Sequence, residues 1–172
     1  MQYFAYCDSP LGRLLLTSNE TALTGLHFVG EKYFPRVESF WYEDEDAPHI
    51  RRTCIQLEEY FAGTRSVFEV PLDPSGTPFQ LNVWMKLRDI AYGETISYGE
   101  LACRVGNSNA SRAVGAANGR NPISIIVPCH RVIGADGSLT GYAGGVQRKK
   151  SLLYLEKLYG DSLWCSVTKR QQ

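Results

Sequence analysis

Pro128-Cys129-His130-Arg131-Val132 is the stretch of this 172-residue chain best equipped for chemistry. Cys129 follows Ile123-Ser124-Ile125-Ile126-Val127, a β-branched apolar run that reads as a buried strand. A thiol just past such a strand, with His130 and Arg131 beside it, is where a thiolate can be stabilised and reached. His130 cannot readily turn back onto the side chain before it, so a proton relay between the two runs through an ordered water. Residue types alone leave alternatives open. An inert core thiol fits Cys129 as well as a reactive one, and a lone histidine is more often structural than a base.

The other cysteines are Cys7, Cys54, Cys103 and Cys165, which makes five, an odd number with no CxxC pair. That pattern suits neither a disulfide framework nor a zinc knuckle, and free thiols in a reducing cytoplasm account for it. Cys103 reads as packing. The first 18 residues are apolar but cut by Asp8, Pro10 and Arg13, so neither a signal-peptide core nor a membrane span fits.

Several elements must position the thiol. Residues 3–7 and 13–17 alternate around an Asp8-Ser9-Pro10-Leu11-Gly12 turn and predict a hairpin, with a third strand over 24–29. Ile50, Cys54, Leu57 and Phe61 fall at helical spacing and predict a helix over 49–62, closed by Gly63. This half reads as a small α+β unit. Asp73-Pro74-Ser75-Gly76-Thr77-Pro78 is the best linker, dividing the chain into residues 1–73, a joint at 74–78, a second domain over 79–160 and a tail over 161–172. Disorder is expected for residues 168–172.

Beyond the linker, Val83, Trp84, Leu87 and Ile90 predict a second amphipathic helix. Ser97 three residues before Glu100 forms a capping box opening a helix to Val105. Gly106-Asn107 turns the chain, and Ser108 caps an Ala/Gly-rich helix over roughly 110–118. Two short helices about a glycine turn form the helix-turn-helix pattern, although any two helices so joined look alike.

The formal net charge is zero, yet residues 1–80 hold 6 Lys/Arg against 12 Asp/Glu, leaving 12 against 6 in residues 81–172. Between 98 and 150 there are seven Lys/Arg and two acids, and Arg112 and Arg120 flank the small-residue helix. This asymmetry points to nucleic acid. On this reading the acidic half faces away from the phosphates, with no evident means of gripping them.

Pro128-Cys129-His130-Arg131-Val132 resembles the active-site signature of the O6-alkylguanine-DNA alkyltransferases. The likeness runs through Pro78-Phe79-Gln80, Val83-Trp84, residues 96–102, Arg112-Ala113-Val114-Gly115, Asn121-Pro122, residues 141–145 and 149–156. Asp8-Ser9-Pro10-Leu11-Gly12 fits it too, and the layout is closest to the constitutive bacterial members. The resemblance implies an N-terminal RNase H-like α+β domain and a mainly helical C-terminal domain with a winged helix-turn-helix. It implies single-turnover, direct-reversal repair of double-stranded DNA by a cytoplasmic monomer, with cooperative loading left open and no cofactor.

Roles then follow by position. Cys129 resembles the alkyl acceptor, His130 its base acting through water, Glu156 the carboxylate that orients His130, and Tyr98 the proton donor to the leaving guanine. Arg112 resembles the finger that fills the stack after base flipping. Ser97, Ala113, Gly115, Asn118, Arg120 and Asn121 fall in the DNA-binding set, with the helix in the minor groove. Val132, Tyr142, Ala143 and Gly144 fall around the base, the carbonyls of Cys129 and Val132 holding it.

Two departures stand out. Some members bind zinc in the first domain, but Asn19 and Thr24 stand at two of those positions. Cys7, Cys54, His27 and His49 have no ligand-like spacing, so no metal is expected. Gly144 replaces a bulky rim residue of some bacterial members, which predicts room for larger adducts such as benzyl.

Overall fold

The computed structural model describes the backbone of residues 1–168 and the side chains of residues 1–160. The first half is an α+β layer. Strands β1 (Tyr3–Cys7), β2 (Leu14–Ser18) and β3 (Leu23–Phe28) form an antiparallel meander, and β4 (Tyr42–Glu43) adds parallel to β1, giving the order β3-β2-β1-β4. The hairpin turn carries Gly12 at φ 120°, a conformation few side-chain-bearing residues adopt. Helix α1 (Pro48–Phe61) packs on the sheet and starts with proline in its first turn.

The buried stripe of α1 is Ile50, Thr53, Gln56, Leu57 and Tyr60. Cys54 and Phe61, expected to face the core, are only half-buried at its flanks. The face is rotated because Gln56 and Tyr60 find polar partners inside: Glu69 N donates to Gln56 Oε1 at 2.8 Å, and Tyr60 reaches across the molecule. After α1, Gly63 at φ 76° lies against the Tyr159 ring, where a Cβ would fall 2.4 Å from ring carbon.

The second half is mainly helical: α2 (Pro78–Leu87), β5 (Ile96–Ser97), α3 (Tyr98–Val105), α4 (Ser111–Gly119), β6 (Val132–Ile133) and α5 (Val146–Thr168). A complete capping box opens α2, with Thr77 and Gln80 exchanging side-chain and backbone bonds. The box expected at Ser97 is half made. Ser97 Oγ accepts from Glu100 N at 3.1 Å, while the Glu100 carboxylate takes Arg104 at 2.6 Å. Gly106 closes α3 in the left-handed region. Ser108 does not cap α4; Ala110 stands at that position with no side-chain bond, and Asn107 orders the turn. The α2, α3 and α4 helices share one core through Val83, Trp84, Leu101, Ala102, Val114 and Ala117, and Trp84 Nε1 donates to Ala117 O at 2.8 Å.

The strand expected over residues 123–127 is not one. Ile123, Ile125 and Val127 are buried, but only Ile123 pairs, with Leu26, and the rest is turn with Ile125 at φ 70°. Side-chain bonds from Asn121 replace the strand ladder. The free edge of β3 is covered by this segment (Leu26 N to Pro122 O, Ser124 N to Leu26 O) and by residues 71–73 (Leu23 N to Pro71 O, Asp73 N to Leu23 O). The halves thus share one continuous core. Helix α5 continues beyond residue 160 to Thr168, so Thr168, expected to be disordered, is helical; the rest of that expectation, residues 169–172, falls outside the described residues.

Candidate active site

Cys129 opens a one-turn 3-10 helix, Cys129–Arg131, and is 4% exposed. Asn121 builds its surroundings: Nδ2 lies 2.8 Å from Val127 O, 3.3 Å from Ile123 O and 3.1 Å from Cys129 Sγ, and Oδ1 accepts from Ile123 N. Burial pushes the Cys129 thiol up to about 11, against a smaller opposite pull from the Asn121 bond and Lys149. At neutral pH the thiol is thus held protonated. Forming the thiolate here would take a base.

His130 is the candidate. It is fully buried, and Nε2 lies 2.7 Å from Glu156 Oε1. An ionised carboxylate can only accept, so Nε2 carries the proton and Nδ1 the lone pair. Nδ1 has no partner among the described residues, although a buried polar atom normally has one. Burial holds the imidazole below its ordinary range, against Glu156, and keeps it neutral and able to accept a proton.

Glu156 is the most heavily bonded side chain here. Oε1 accepts from His130, from Arg131 Nη2 at 2.9 Å and from Tyr60 OH at 2.8 Å. Oε2 accepts from Arg131 Nε at 2.8 Å and Gly93 N at 3.3 Å. Burial alone would push the carboxyl up, but His130 and Arg131 together outweigh it and hold the group well below the usual carboxylate range. Arg131 is fixed in turn by Ile90 O at 2.6 Å. The sequence placed Arg131 beside the thiol as a stabilising charge; the structure turns it onto Glu156 instead.

Tyr98, at the start of α3, donates to Thr140 O at 2.8 Å, and burial raises its phenol. Lys149 is buried and donates to Val132 O at 2.5 Å and Thr140 O at 2.8 Å, its amine lowered by burial to about 8. Val132 O, expected to hold the base, is therefore already one ammonium's acceptor.

A groove of about 330 Å³ runs between α4 and the loop before α5, with Gly115, Ala116, Gly119, Tyr142 and Ala143 in its lining. Gly144 is buried, and a Cβ there would fall 2.7 Å from the Tyr142 ring and 3.1 Å from Phe28. Those two rings thus occupy the space that a side chain at this position would fill.

Arg112, Ala113 and Ala116 on α4 and Arg120 just after it are exposed, and Gly115 lies against Tyr98. Asn118 does not share that face: it is buried, with Nδ2 on Cys129 O at 3.3 Å. Asn121 likewise faces the thiol and not the surface, and Ser97 is spent on capping. The N-terminal half does reach this region. Lys32 and Tyr33 line the groove, Lys32 N donates to Ala143 O, and Arg120 stacks on the Tyr33 ring. No helix among the described residues is long and apolar enough to cross a membrane.

Residues 2–74 match the family model of the 6-O-methylguanine DNA methyltransferase ribonuclease-like domain, and residues 78–158 that of its DNA-binding domain. The methylated-DNA–protein-cysteine methyltransferase of Methanosarcina acetivorans is 52% identical over 90% of this chain and 97% of its own. That of Mycobacterium tuberculosis is 50% identical over 91% and 93%. The crystal structure of the M. tuberculosis O6-methylguanine methyltransferase superposes with a TM-score of 0.85 at 48% identity, covering 92% of this chain and 94% of that one. A crystal structure of M. tuberculosis OGT in complex with DNA gives 0.85 at 48%, covering 91% and 94%. With both of its halves matched by the family's two models, this chain belongs to the 6-O-methylguanine DNA methyltransferase family.

Proposed function

We propose that this protein repairs O6-alkylguanine in double-stranded DNA by taking the alkyl group irreversibly onto Cys129. The observation that carries this is the buried order of groups: a protonated thiol, a neutral imidazole whose Nδ1 is unpartnered among the described residues, and a carboxylate held anionic by Arg131. His130 Nδ1 takes the thiol proton through a bridging water, and Glu156 stabilises the imidazolium that results. The sulfur electron pair attacks the alkyl carbon in line, the carbon–O6 bond breaks, and its electrons pass to guanine. Tyr98 protonates the leaving base and regains its proton from the relay, so the thiol hydrogen ends on guanine. A thioether remains, and each molecule acts once.

The lesion lies within the duplex and must be flipped out, at a cost of a few kcal/mol. Arg112 stands exposed near the start of α4 as the side chain that fills the stack. A helix face of Ala113 and Ala116 suits the minor groove and reads little sequence. The protein works on this reading as a monomer in the cytoplasm.

The test is incubation with a duplex containing O6-methylguanine, followed by intact and peptide mass measurement. One methyl on Cys129, absent in Cys129→Ala, is the expected result. Turnover beyond one equivalent, or no gain of mass, would overturn the proposal.

A further inference from the structure

The Tyr60 hydroxyl, 96 residues from Glu156 in sequence, donates to the carboxylate oxygen that also receives His130. Both side chains are fully buried. Tyr60 lies on α1 in the N-terminal half, whereas every other donor to Glu156 among the described residues belongs to the C-terminal half. The ring itself is fixed by Phe61, Phe68 and Tyr92 at centroid distances of 5.3, 5.5 and 6.0 Å.

From this geometry we infer that Tyr60 is a positioning residue for the proton relay: it orients Glu156 and, by sharing Oε1 with His130, sets how strongly His130 holds a proton. The inference rests on the roles proposed above for Cys129, His130 and Glu156. The N-terminal domain then takes part in the chemistry and is not merely a support for it.

The charged and titratable groups facing this pair are few. Tyr60 comes from α1, Tyr92 from the segment before β5, Arg131 from the turn carrying Cys129, and Lys149 from α5 itself. Arg131 and Lys149 disfavour the imidazolium, and Glu156 favours it. The Tyr60 bond draws negative charge on Oε1 away from His130. Removing that hydroxyl leaves Oε1 a stronger acceptor for the imidazole N–H, so the imidazolium forms more readily and the His130 titration moves up. Because transfer needs neutral His130, the acid limb of the rate profile moves up with it.

The experiment compares the wild-type chain, Tyr60→Phe, and a chain with 3-fluorotyrosine at position 60, whose phenol is a stronger donor. Two readouts are taken: single-turnover methyl transfer against pH, and the His130 titration by nitrogen-15 NMR. Tyr60→Phe should raise both the acid limb and the His130 titration by about half to one pH unit. Fluorotyrosine should lower them. Limbs and titrations unmoved in both variants, even with a lowered Tm, would overturn the inference and leave Tyr60 a packing residue. A wild-type chain that gains no methyl on Cys129 would sink the proposed function instead, and the NMR titration would still decide whether Tyr60 governs His130.

Discussion

Replacing Glu156 by Gln keeps the shape of the side chain and removes its charge. Five donor contacts converge on the carboxylate, from His130, Tyr60, Gly93 and two from Arg131. Gln offers one acceptor oxygen and turns an NH₂ towards the remaining donors. Arg131 then becomes a buried cation whose remaining partner in this network is Ile90 O. Breaking a buried ion pair from one side costs about 3–5 kcal/mol. In a chain of this size each kcal/mol moves Tm by about 2–4 °C, so the expected fall is about 6–20 °C. The relay also loses the group that stabilises its imidazolium, and transfer should slow by about 10²–10⁴-fold. Scanning calorimetry and rapid-quench mass measurement read the two effects separately. The double variant Glu156→Gln/Arg131→Met removes the stranded cation and should recover most of the Tm while the rate stays low. A single variant within about 2 °C of wild type and within about threefold in rate, both well short of the smallest changes expected, would refute the reasoning.

Four further outcomes are expected. The folded Glu156 carboxyl titrates below its unfolded value of about 4.5, so its contribution is fully present above that pH and is lost as pH falls below it; urea titrations from pH 6 to 3 should show this loss in wild type and not in the double variant. Asn121→Ala strands Ile123 N and frees three acceptors, which should cost about 3–5 kcal/mol in urea unfolding and slow transfer, since the thiol loses the bond that favours its anion. Gly144→Ala forces Tyr142 or Phe28 to move, lowering stability by about 1–3 kcal/mol by calorimetry and shifting the relative rates of methyl and larger adducts. Arg112→Ala, at an exposed position, should leave Tm within about 1 °C while weakening duplex binding and flattening its salt dependence in fluorescence anisotropy.

Periodicity and turn chemistry carried the hairpin, α1 and the pair α3–α4, because those elements are held by local bonds and by one apolar face. Where side chains compete with the backbone, the reading from sequence departed. Residues 123–127 have strand composition, but Asn121 takes the carbonyls of Ile123 and Val127 and leaves turns. Ser108 is a good cap residue, yet the preceding Asn107 claims the turn and α4 begins uncapped. At the site, the motif marked Cys129 and His130, and the family likeness marked Glu156. It placed Asn118 and Asn121 on the DNA side because residue type does not reveal which way an amide faces. Tyr60 carried no local signal at all: its partner is 96 residues away, and a tyrosine at helical spacing reads as core.

Helix α5 has one more consequence. Its inward positions Lys149, Leu152 and Glu156 are buried, while Lys150, Ser151, Tyr154, Lys157 and Leu158 are exposed. Lys149 and Glu156 are seven residues apart, about 10.5 Å and nearly two full turns, so they share one line along the helix. The helix thus acts as a gauge: one end anchors the carbonyls of Val132 and Thr140, and the other delivers the carboxylate to His130. A single-residue insertion or deletion between them would rotate one group by about 100° relative to the other. Point changes on the outer face leave that phase intact. In descendants of this chain, length between these two positions should therefore be far less free to drift than composition.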